Sequence, residues 1–512
     1  MNGAQALVHT LANCGVDVCF ANPGTSEMHF VAALDIVGTI RPVLALFEGV
    51  ATGAADGYAR MAGKPAATLL HLGAGLGNGL ANLHNARRAG VPMLNIVGDH
   101  ATGHLQYDAP LTSDIVGIAR PVSPWVYRSL TSAQLAHDGA RAVAAAHAEG
   151  GQVATLIVPA DTAWGDADGP ALPINPPQPQ AIAPDAQDRV VEALAGGHRT
   201  ALLMRGRALH REGLEAAARI AAATGARLLC DTFAPRLDRG AGIPAVERIP
   251  YFAEMMTRFL ADIDTLILVG ARVPVPFFAY PDKPGWCLAP GCRVLHLAYP
   301  EQDSAAAVLA LADRLPGGKS PLAPAPRPER PTGAFNVHSI GQAMGALLKD
   351  AAIICDDAAT ASGAILAGTA NAAPHTHLAL TGGAIGSGLP MAVGAAIACP
   401  DRKVVCISGD GSAMYTPQAL WTIAREKLDV TVIIFANRSY RILQIELERV
   451  GAAPAGPMAH TMLDLSDPTI DFVGLALSMG VESARATTID AFCDLFAGAM
   501  RRPGPYLIEV AI

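Results

Sequence analysis

The chain has 512 residues, is 51% hydrophobic and only 16% charged, and carries a formal net charge of −8. This length exceeds one hydrophobic core, so we expect two to four domains, and the acidic balance argues against a nucleic-acid-binding protein. Nine cysteines without a CxxC pair predict reduced thiols and a cytoplasmic protein. The N-terminus lacks the basic and apolar regions of a signal peptide. The uncharged stretch 378–399 is interrupted by glycines and a proline, which predicts a buried loop and helix start rather than a membrane span.

Two proline-rich stretches, at about residues 165–184 and 315–331, are typical of extended linkers. The three segments that they separate each alternate short apolar strands with amphipathic helices, as parallel sheets do. We therefore predict an α/β fold with three doubly wound parallel-sheet domains. The predicted strands are 17–21, 43–47, 67–71, 92–97 and 153–158 in the first segment, 200–204, 226–230, 265–269 and 293–297 in the second, and 352–355, 403–408, 431–436 and 506–510 in the third.

Polar residues end or follow four predicted strands of the first segment. They are Thr25, in an NPGTSE turn, and then Glu48, His71 and His100. Open parallel sheets bind ligands at the carboxyl ends of their strands, so each residue is a candidate for a site there. Each has a structural alternative: a helix cap for Thr25, a first-turn charge for Glu48, a satisfied core histidine for His71 and a surface side chain for His100. No further histidine or cysteine completes a metal set with His100 and His104.

In the third segment a glycine turn and an asparagine follow two neighbouring predicted strands. The turn consists of Gly409, Asp410, Gly411 and Ser412. A strand, a glycine turn and a helix start expose backbone N–H groups, which suits a phosphate. Asp410, the Asn437 side chain and a main-chain carbonyl near Ser439 can supply oxygens to a Mg²⁺ ion that also contacts a diphosphate. The alternative is an ordinary surface turn, because GDG alone is common.

The GDGS turn, followed 27 residues after its aspartate by a strand-ending asparagine, resembles the thiamine-diphosphate (ThDP) enzymes. The resemblance extends over nearly the whole chain and is greatest to the branch of benzoylformate decarboxylase and the acetolactate synthase-like large subunits. It implies a pyrimidine-binding domain at 1–165, a central domain at 185–315 and a diphosphate-binding domain at 332–512. It also implies that the outer domains share one topology and bind opposite ends of ThDP across a subunit interface. The expected assembly is a homodimer at least, with a homotetramer favoured.

The resemblance gives roles to residues of the first segment. Glu48 precedes a small-residue helix containing GYAR, where the family places the glutamate that hydrogen-bonds to the aminopyrimidine N1′ and activates the cofactor. Thr25 matches a residue that brings a hydroxyl to the substrate carboxylate, and His71 matches an active-site histidine in the pattern L-H-x-x-x-G-x-G-N. Leu111 stands where synthases have a glutamine, which favours an apolar substrate group or simple protonation of the intermediate. His100 is equally compatible with the substrate pocket and with the surface.

In the third segment the resemblance implies further cofactor contacts. Ile385 matches the bulky apolar residue that holds the cofactor in its bent shape, although packing at a helix start would also require an apolar side chain. Thr360 follows the acidic pair Asp356 and Asp357 in a loop that resembles the one at the diphosphate end. There the hydroxyl and the backbone amides, rather than the acids, are the candidate phosphate ligands. The predicted cofactors are ThDP and Mg²⁺.

The middle segment lacks the acidic strand end with which relatives bind FAD. Ala298 and Tyr299 occupy that place, so no FAD is expected. The second active-site histidine of benzoylformate decarboxylase is not reproduced either, although Tyr280 is nearby. Benzoylformate itself is therefore left open as the substrate.

These patterns predict an enzyme that decarboxylates a small-molecule 2-oxo acid with ThDP and Mg²⁺, with carboligation of the bound intermediate to an aldehyde as a side activity. The alternative within the class is an acetolactate synthase-like or 2-hydroxyacyl-CoA lyase-like carboligase. A non-catalytic ThDP-binding homologue is the alternative outside it, and intact Glu48, Asp410 and Asn437 argue against that. No nucleic-acid or membrane partner is expected.

Overall fold

The computed structural model describes residues 1–197, 199–317, 326–452 and 456–512. Over these ranges the chain forms three sheets, of six, five and seven strands. The strands pair in parallel throughout, with one antiparallel exception in the third sheet. The predicted α/β fold with three doubly wound domains is confirmed. None of the described helices combines the length and apolar character needed to cross a membrane.

The first sheet has the strand order β2-β1-β3-β4-β6-β5. Its strands are β1 (Val18–Asn22), β2 (Arg41–Leu44), β3 (Ala66–Leu70), β4 (Met93–Asp99), β5 (Trp125–Arg128) and β6 (Val153–Pro159). Its helices are α1 (Gly3–Asn13), α2 (Met28–Val37), α3 (Glu48–Ala62), α4 (Leu72–Ala89), α5 (Ile115–Ala119), α6 (Ser132–Ala146) and α7 (Ala160–Trp164). Every residue of β3, β4 and β6 is buried, which is why these strands are predominantly apolar in the sequence.

The second sheet belongs to the middle of the chain. Its region contains β7 (Thr200–Met204), β8 (Arg227–Cys230), β9 (Leu237–Arg239), β10 (Glu247–Arg248), β11 (Thr265–Val269) and β12 (Arg293–Ala298), with α8 (Pro184–Ala195), α9 (Arg211–Thr224), α10 (Ala253–Leu260) and α11 (Ser304–Asp313). The order within the sheet is β10-β8-β7-β11-β12. Strand β9 is not part of this sheet but pairs with β14 of the third sheet. Backbone hydrogen bonds therefore connect the middle of the chain to its C-terminal part.

The third sheet has the order β17-β18-β16-β15-β13-β14-β9. Its own strands are β13 (Ile353–Asp357), β14 (His375–Ala379), β15 (Val404–Gly409), β16 (Val430–Ala436), β17 (Glu482–Ala486) and β18 (Tyr506–Ala511). The helices are α12 (Val337–Leu347), α13 (Ser362–Gly368), α14 (Gly388–Ala398), α15 (Asp410–Ala413), α16 (Ala419–Arg425), α17 (Arg441–Arg449), α18 (Pro457–Thr461), α19 (Phe472–Ser478) and α20 (Ile489–Arg501). In the described part of the chain, short 3₁₀ helices lie at Thr25–Glu27, Thr102–Tyr107, Ala148–Gly150, Gly206–Leu209 and Ala359–Ala361.

The first and third sheets have the same topology. The order β14-β13-β15-β16-β18-β17 of the third sheet corresponds strand by strand to β2-β1-β3-β4-β6-β5 of the first. This agrees with the shared topology that the resemblance implied. Because the strands correspond, the loops that follow them occupy corresponding places at the carboxyl edge of each sheet.

Five strands were not predicted, namely β5, β9, β10, β14 and β17. Four of them lie at the edge of a sheet and are partly exposed, so they lack a continuous apolar run. Strand β14 is fully buried, but its sequence HTHLA contains two histidines and a threonine. Polar residues paired inside a sheet therefore concealed a strand from sequence reasoning.

Helices α3 and α14 join the first and third domains backbone to backbone. A Cβ atom on Gly57 would lie 2.1 Å from the carbonyl oxygen of Met391, and one on Gly394 would lie 1.8 Å from that of Ala54. Glycine is therefore required at both positions. The two domains share one hydrophobic core across this contact.

Arg60, at the end of α3, ties all three parts of the chain together. Its guanidinium forms a buried ion pair with Asp56 at 2.6 Å and donates to the carbonyl oxygens of Pro235 and Ala379. A buried charge is stable only when it is paired and fully hydrogen-bonded, as it is here.

Candidate functional site

The carboxyl edge of the first sheet brings together four of the predicted site residues. Strands β2, β1, β3 and β4 are adjacent and parallel, so the residues that follow them share one edge. Thr25 follows β1, Glu48 follows β2, His71 follows β3 and His100 follows β4. This is the arrangement that the sequence predicted.

Glu48 is the first residue of α3 and is buried. Its Oε2 atom accepts a hydrogen bond from Asn78 Nδ2, on α4, at 2.9 Å. A Cβ atom on Gly75 would lie 3.2 Å from Glu48 Oε1 and 3.4 Å from His71 Cβ. The Glu48 carboxylate and the His71 side chain therefore both lie close to Gly75, a residue of α4 without a side chain of its own.

His71 occupies the N-cap position of α4, and its side chain is 21% exposed. The Nδ1 atom lies 3.0 Å from Glu27 Oε2 and 3.3 Å from Ser26 Oγ. A Cβ atom on Gly24 would come within 2.2 Å of the imidazole, so the turn after β1 packs directly against the ring. When Nδ1 donates to the carboxylate, the neutral ring keeps Nε2 as its proton acceptor.

Glu27 is a further residue of this candidate site that sequence reasoning missed. Its side chain is only 1% exposed, and its carboxylate also accepts from the backbone N–H of Gly24 at 2.6 Å and from Ser26 Oγ. A Cβ atom on Gly98 would lie within 1.7 Å of Glu27 Oε1, so β4 needs glycine where the carboxylate enters. The only signal was a glutamate in the NPGTSE turn, because its partner His71 lies 44 residues further along the chain.

Thr25 and Leu111 are exposed, Leu111 to 42%. Thr25 begins the 3₁₀ helix after β1, whose N-cap is Gly24, so it does not act as the N-cap. His100 is partly buried, and its Nε2 atom has no hydrogen-bond partner among the described residues. Its ring lies 5.5 Å from that of His104, in the loop after β4.

The carboxyl edge of the third sheet carries the second group of predicted residues. Strands β14, β13, β15 and β16 are adjacent and parallel. Ile385 follows β14, Thr360 follows β13, Asp410 follows β15 and Asn437 follows β16. Thr360 is exposed on its 3₁₀ helix, and Ile385 is half-buried.

Asp410 is buried and connects the 409–412 turn to the 437–439 turn at the centre of this edge. Its Oδ1 atom accepts from the N–H of Gly411 at 2.9 Å, and Oδ2 accepts from the N–H of Arg438 at 2.6 Å. Burial raises the pKa of the Asp410 carboxyl, while these two amides act in the opposite direction. The Asn437 amide oxygen accepts from the N–H of Ser439 at 3.0 Å. The aspartate therefore lies against the turn formed by 437–439.

The donor set of this edge fits Mg²⁺. A carboxylate, an amide oxygen and main-chain carbonyls are the hard oxygen ligands that this ion prefers. Among the described residues, no group of three or more histidine, cysteine, aspartate or glutamate side chains is arranged to hold a metal. A cation here would therefore depend on Asn437 and main-chain oxygens as well as on Asp410. Gly411 and Ser412 are buried beside it, and a Cβ atom on Gly411 would lie 2.4 Å from the Tyr440 ring.

The side chains of Asp356 and Asp357, the last residues of β13, are both buried. Asp356 accepts from Ser362 Oγ at 2.7 Å and lies 3.2 Å from His377 Nε2. Asp357 accepts from three backbone amides in the segment that follows Ile385. Both acids thus hold neighbouring loops of the sheet edge in place, a role that their sequence positions did not indicate.

In the middle domain, Ala298 ends β12, and Tyr299 stacks on His296 with ring centroids 4.3 Å apart. Tyr280 lies in the loop between β11 and β12. The expectation that no FAD binds rests on the sequence and stays a prediction.

Comparison with known proteins agrees with this geometry. The N-terminal TPP binding domain of thiamine pyrophosphate enzymes matches residues 1–118, and the C-terminal TPP binding domain of the same enzymes matches residues 361–510. The chain belongs to this family of ThDP-dependent enzymes. The matched ranges contain the four residues of the first edge and, at the third edge, Ile385, Asp410 and Asn437; Thr360 lies just before the second range.

Relatives include both branches of the resemblance. The chain is 54% identical to Mycobacterium tuberculosis IlvX, provisionally named an acetolactate synthase large subunit, over 100% of this chain and 99% of that one. It is 27% identical to the benzoylformate decarboxylase of Pseudomonas aeruginosa, over 99% and 98% of the two chains. The structure of the ThDP-dependent 4-hydroxybenzoylformate decarboxylase of Rhodococcus jostii RHA1 superimposes with a TM-score of 0.87 at 24% identity, covering 100% and 99%. That likeness shows the fold.

Proposed function

We propose that the protein is a Mg²⁺-dependent ThDP enzyme that decarboxylates a 2-oxo acid. The observation that carries this proposal is the pairing at the first sheet edge. A buried carboxylate, Glu48, and an imidazole that contacts a second carboxylate, His71 with Glu27, both lie close to Gly75 of α4. Two groups that can move protons are thus held near the same residue of one helix.

The third sheet edge would hold the cofactor's diphosphate. Asp410, Asn437 and the Ser439 carbonyl would bind Mg²⁺, and the amides of the 409–412 turn, with the Thr360 hydroxyl, would hold phosphate oxygens. Ile385 would lie under the cofactor rings. When bound, ThDP supplies the electron sink that lets carboxylate leave as CO₂. We assign these roles to domains at 1–165 and 332–512, with a central domain at 185–315.

At the first edge, Glu48 and His71 would have separate roles in proton transfer. Glu48, oriented by Asn78, would hold a proton at the cofactor's aminopyrimidine nitrogen. His71, fixed through Nδ1 by Glu27, would use Nε2 to move a proton at the substrate. Thr25, exposed at the same edge, would bind the substrate carboxylate. Leu111 and His100 would line the pocket, and apolar Leu111 favours a substrate with an apolar group.

A second candidate function is carboligation, as in acetolactate synthases. The 54% identity to the relative with that name supports it. His71 and Leu111 support the decarboxylase instead, because they follow the benzoylformate decarboxylase pattern where synthases present other residues. In both cases the intermediate forms in the same way, and the two functions differ in whether a proton or a second carbonyl compound completes the reaction.

The test is product analysis with the purified protein, ThDP and Mg²⁺ on a panel of 2-oxo acids, from pyruvate through branched-chain acids to benzoylformate. Each acid is supplied with and without an added aldehyde. CO₂ and free aldehyde from an apolar acid are the expected result. A hydroxyketone or acetolactate as the main product would replace the proposal with the carboligase. Bound ThDP without turnover on any acid would contradict both.

We also propose that the enzyme is a cytoplasmic homodimer at least, favouring a homotetramer, because the family completes its site between subunits. Exposed apolar side chains support a covering partner: Tyr415, beside Gly386 at the third edge, is 53% exposed, and Met458, on α18, is 88% exposed. Sedimentation velocity tests the assembly, and a fully active monomer would contradict it.

A further inference from the structure

Asp357 is a buried carboxylate whose hydrogen bonds end on one segment of backbone. Its Oδ2 atom accepts from the N–H groups of Gly386 at 2.8 Å, Ser387 at 2.9 Å and Gly388 at 3.2 Å. A single oxygen atom thus accepts hydrogen bonds from three consecutive backbone amides. The third of them belongs to the first residue of α14, where a negative charge also favours the helix dipole.

These amides directly follow Ile385. The N–H of Gly386 belongs to the same peptide unit as the carbonyl of Ile385, so a bond to that N–H fixes the backbone on the C-terminal side of Ile385. The carbonyl oxygen of Gly386 accepts from Thr416 Oγ1 at 2.8 Å, which holds the next peptide unit. Gly386 has φ +91°, and a Cβ atom there would lie 2.4 Å from Tyr415 Cβ. The peptide units on both sides of Gly386 are therefore held by hydrogen bonds, and position 386 accepts only glycine.

Within the described ranges, Asp357 has no other hydrogen-bond partner that would explain its burial. Its Oδ1 atom is buried without a hydrogen-bond partner among the described residues. Its neighbours are Asp356, whose charge acts on it, and Cys406, which lies beside it on β15 near Gly388. Asp356 is itself engaged with His377 and Ser362. Burying an unpaired carboxyl oxygen is unfavourable, so the three amide bonds must provide the compensation.

We propose that Asp357 is a positioning residue for Ile385, and that its three amide bonds set the conformation of the segment that lies under the cofactor rings. The inference rests on the proposed cofactor role of Ile385. Burial raises the pKa of Asp357 to about 7, with the amides acting in the opposite direction. Oδ2 can accept the amides in either protonation state, because a neutral carboxyl group keeps its carbonyl oxygen.

The test compares Asp357→Ala, which removes the acceptor, with Asp357→Asn, which retains a carbonyl oxygen. Amide hydrogen exchange of the 381–390 segment is measured first, on the protein without cofactor. The Ala variant should exchange at 386–388 about tenfold faster or more than wild type, because three buried donors lose their partner. The Asn variant should stay close to wild type. Asp138→Ala, at a buried carboxylate in the first domain that accepts from Ser129 Oγ, is the matched control and should leave this segment unchanged.

The second readout is kinetic. With ThDP and Mg²⁺ saturating, Asp357→Ala should lower kcat about 10- to 100-fold with little change in KM for the 2-oxo acid, as expected from a misplaced cofactor contact. Asn should restore most of kcat. Should the Ala variant fail to fold, Thr416→Val removes the second hold on Gly386 and should shift exchange and kcat in the same direction by a smaller factor.

Unchanged exchange at 386–388 in the Ala variant would overturn the proposal. So would faster exchange with an unaltered kcat, because the segment would then be anchored without serving the reaction. Failure of the proposed function is distinguishable: wild-type protein that takes up no ThDP would refute that function, whereas normal ThDP uptake and turnover in the Ala variant would refute the positioning role alone.

Discussion

The first and third domains place their polar residues after corresponding strands, yet the two edges use them differently. At the first edge the carboxylates contact side chains: Glu48 is held by Asn78, and Glu27 holds His71. At the third edge Asp357 accepts three backbone amides and Asp410 accepts two. The contrast concerns these four residues, because Glu27 also accepts the Gly24 amide and Asp356 contacts side chains. A carboxylate tied to side chains can pass on or orient a proton. A carboxylate tied to amides fixes the course of a loop.

One topology therefore supports two kinds of chemistry, because the strands fix where a residue emerges and its neighbours fix what it can do. Under the proposed function, the first edge would carry out proton transfer, and the third would hold an anionic, metal-bound cofactor. Variants that remove one function should leave the other intact.

The largest expected effect is that of Glu48→Gln, which keeps size and the Asn78 contact but removes the proton-accepting charge. Turnover should fall about 10³-fold. Steady-state CO₂ release measures this, with thermal unfolding as the control for folding. Turnover like that of wild type would show that the first edge does not carry the proton chemistry.

Next in size is the effect of Asp410→Asn on Mg²⁺. Loss of a charged ligand should weaken Mg²⁺ binding in the presence of ThDP about 10- to 100-fold, measured by calorimetry. Only the ionised carboxylate binds a cation, and burial raises the pKa of Asp410. Wild-type affinity should therefore be present above that raised pKa and lost as the pH falls through it, at a higher pH than for an exposed aspartate. A pH profile that is the same in wild type and variant would contradict this assignment.

Glu27→Gln should have a smaller effect. It leaves the turn intact but removes the charge that orients His71, and kcat should fall about tenfold or more. Ser26→Ala is the comparison, because Ser26 Oγ lies 3.3 Å from the same Nδ1 atom and its removal should cost less. If the two variants have equal effects on kcat, the carboxylate has no special role in holding the imidazole.

The smallest expected effect concerns stability. Because the folded-state pKa of Asp357, about 7, lies above its unfolded value, this carboxyl stabilises the fold fully at low pH, and that stability is lost as the pH rises through about 7. Asp357→Asn lacks this titration. Between pH 5 and 6 its free energy of unfolding relative to wild type should therefore rise by about 1.4 kcal/mol. Denaturant unfolding at several pH values measures the difference, and a constant difference would contradict the raised pKa.

Sequence reasoning was sufficient to identify polar residues at the ends of buried strands, because buried parallel strands are recognisable as mainly apolar runs. Glu48, His71, Asp410 and Asn437 were located in this way. It could not show the partners of these residues, since the contacts of Glu27 with His71 and of Asp357 with 386–388 join positions far apart in the chain. Strand β14 was missed for a related reason: His377 looks unsuited to a sheet interior until its partner Asp356 is known.

The most direct test of the division between the two edges is ThDP uptake at saturating Mg²⁺ by Glu48→Gln and Asp410→Ala, measured by calorimetry under identical conditions. We expect Glu48→Gln to bind ThDP within about tenfold of wild-type affinity while failing to turn over, and Asp410→Ala to take up little or none. The reverse result, with ThDP lost in Glu48→Gln and retained in Asp410→Ala, would contradict the account.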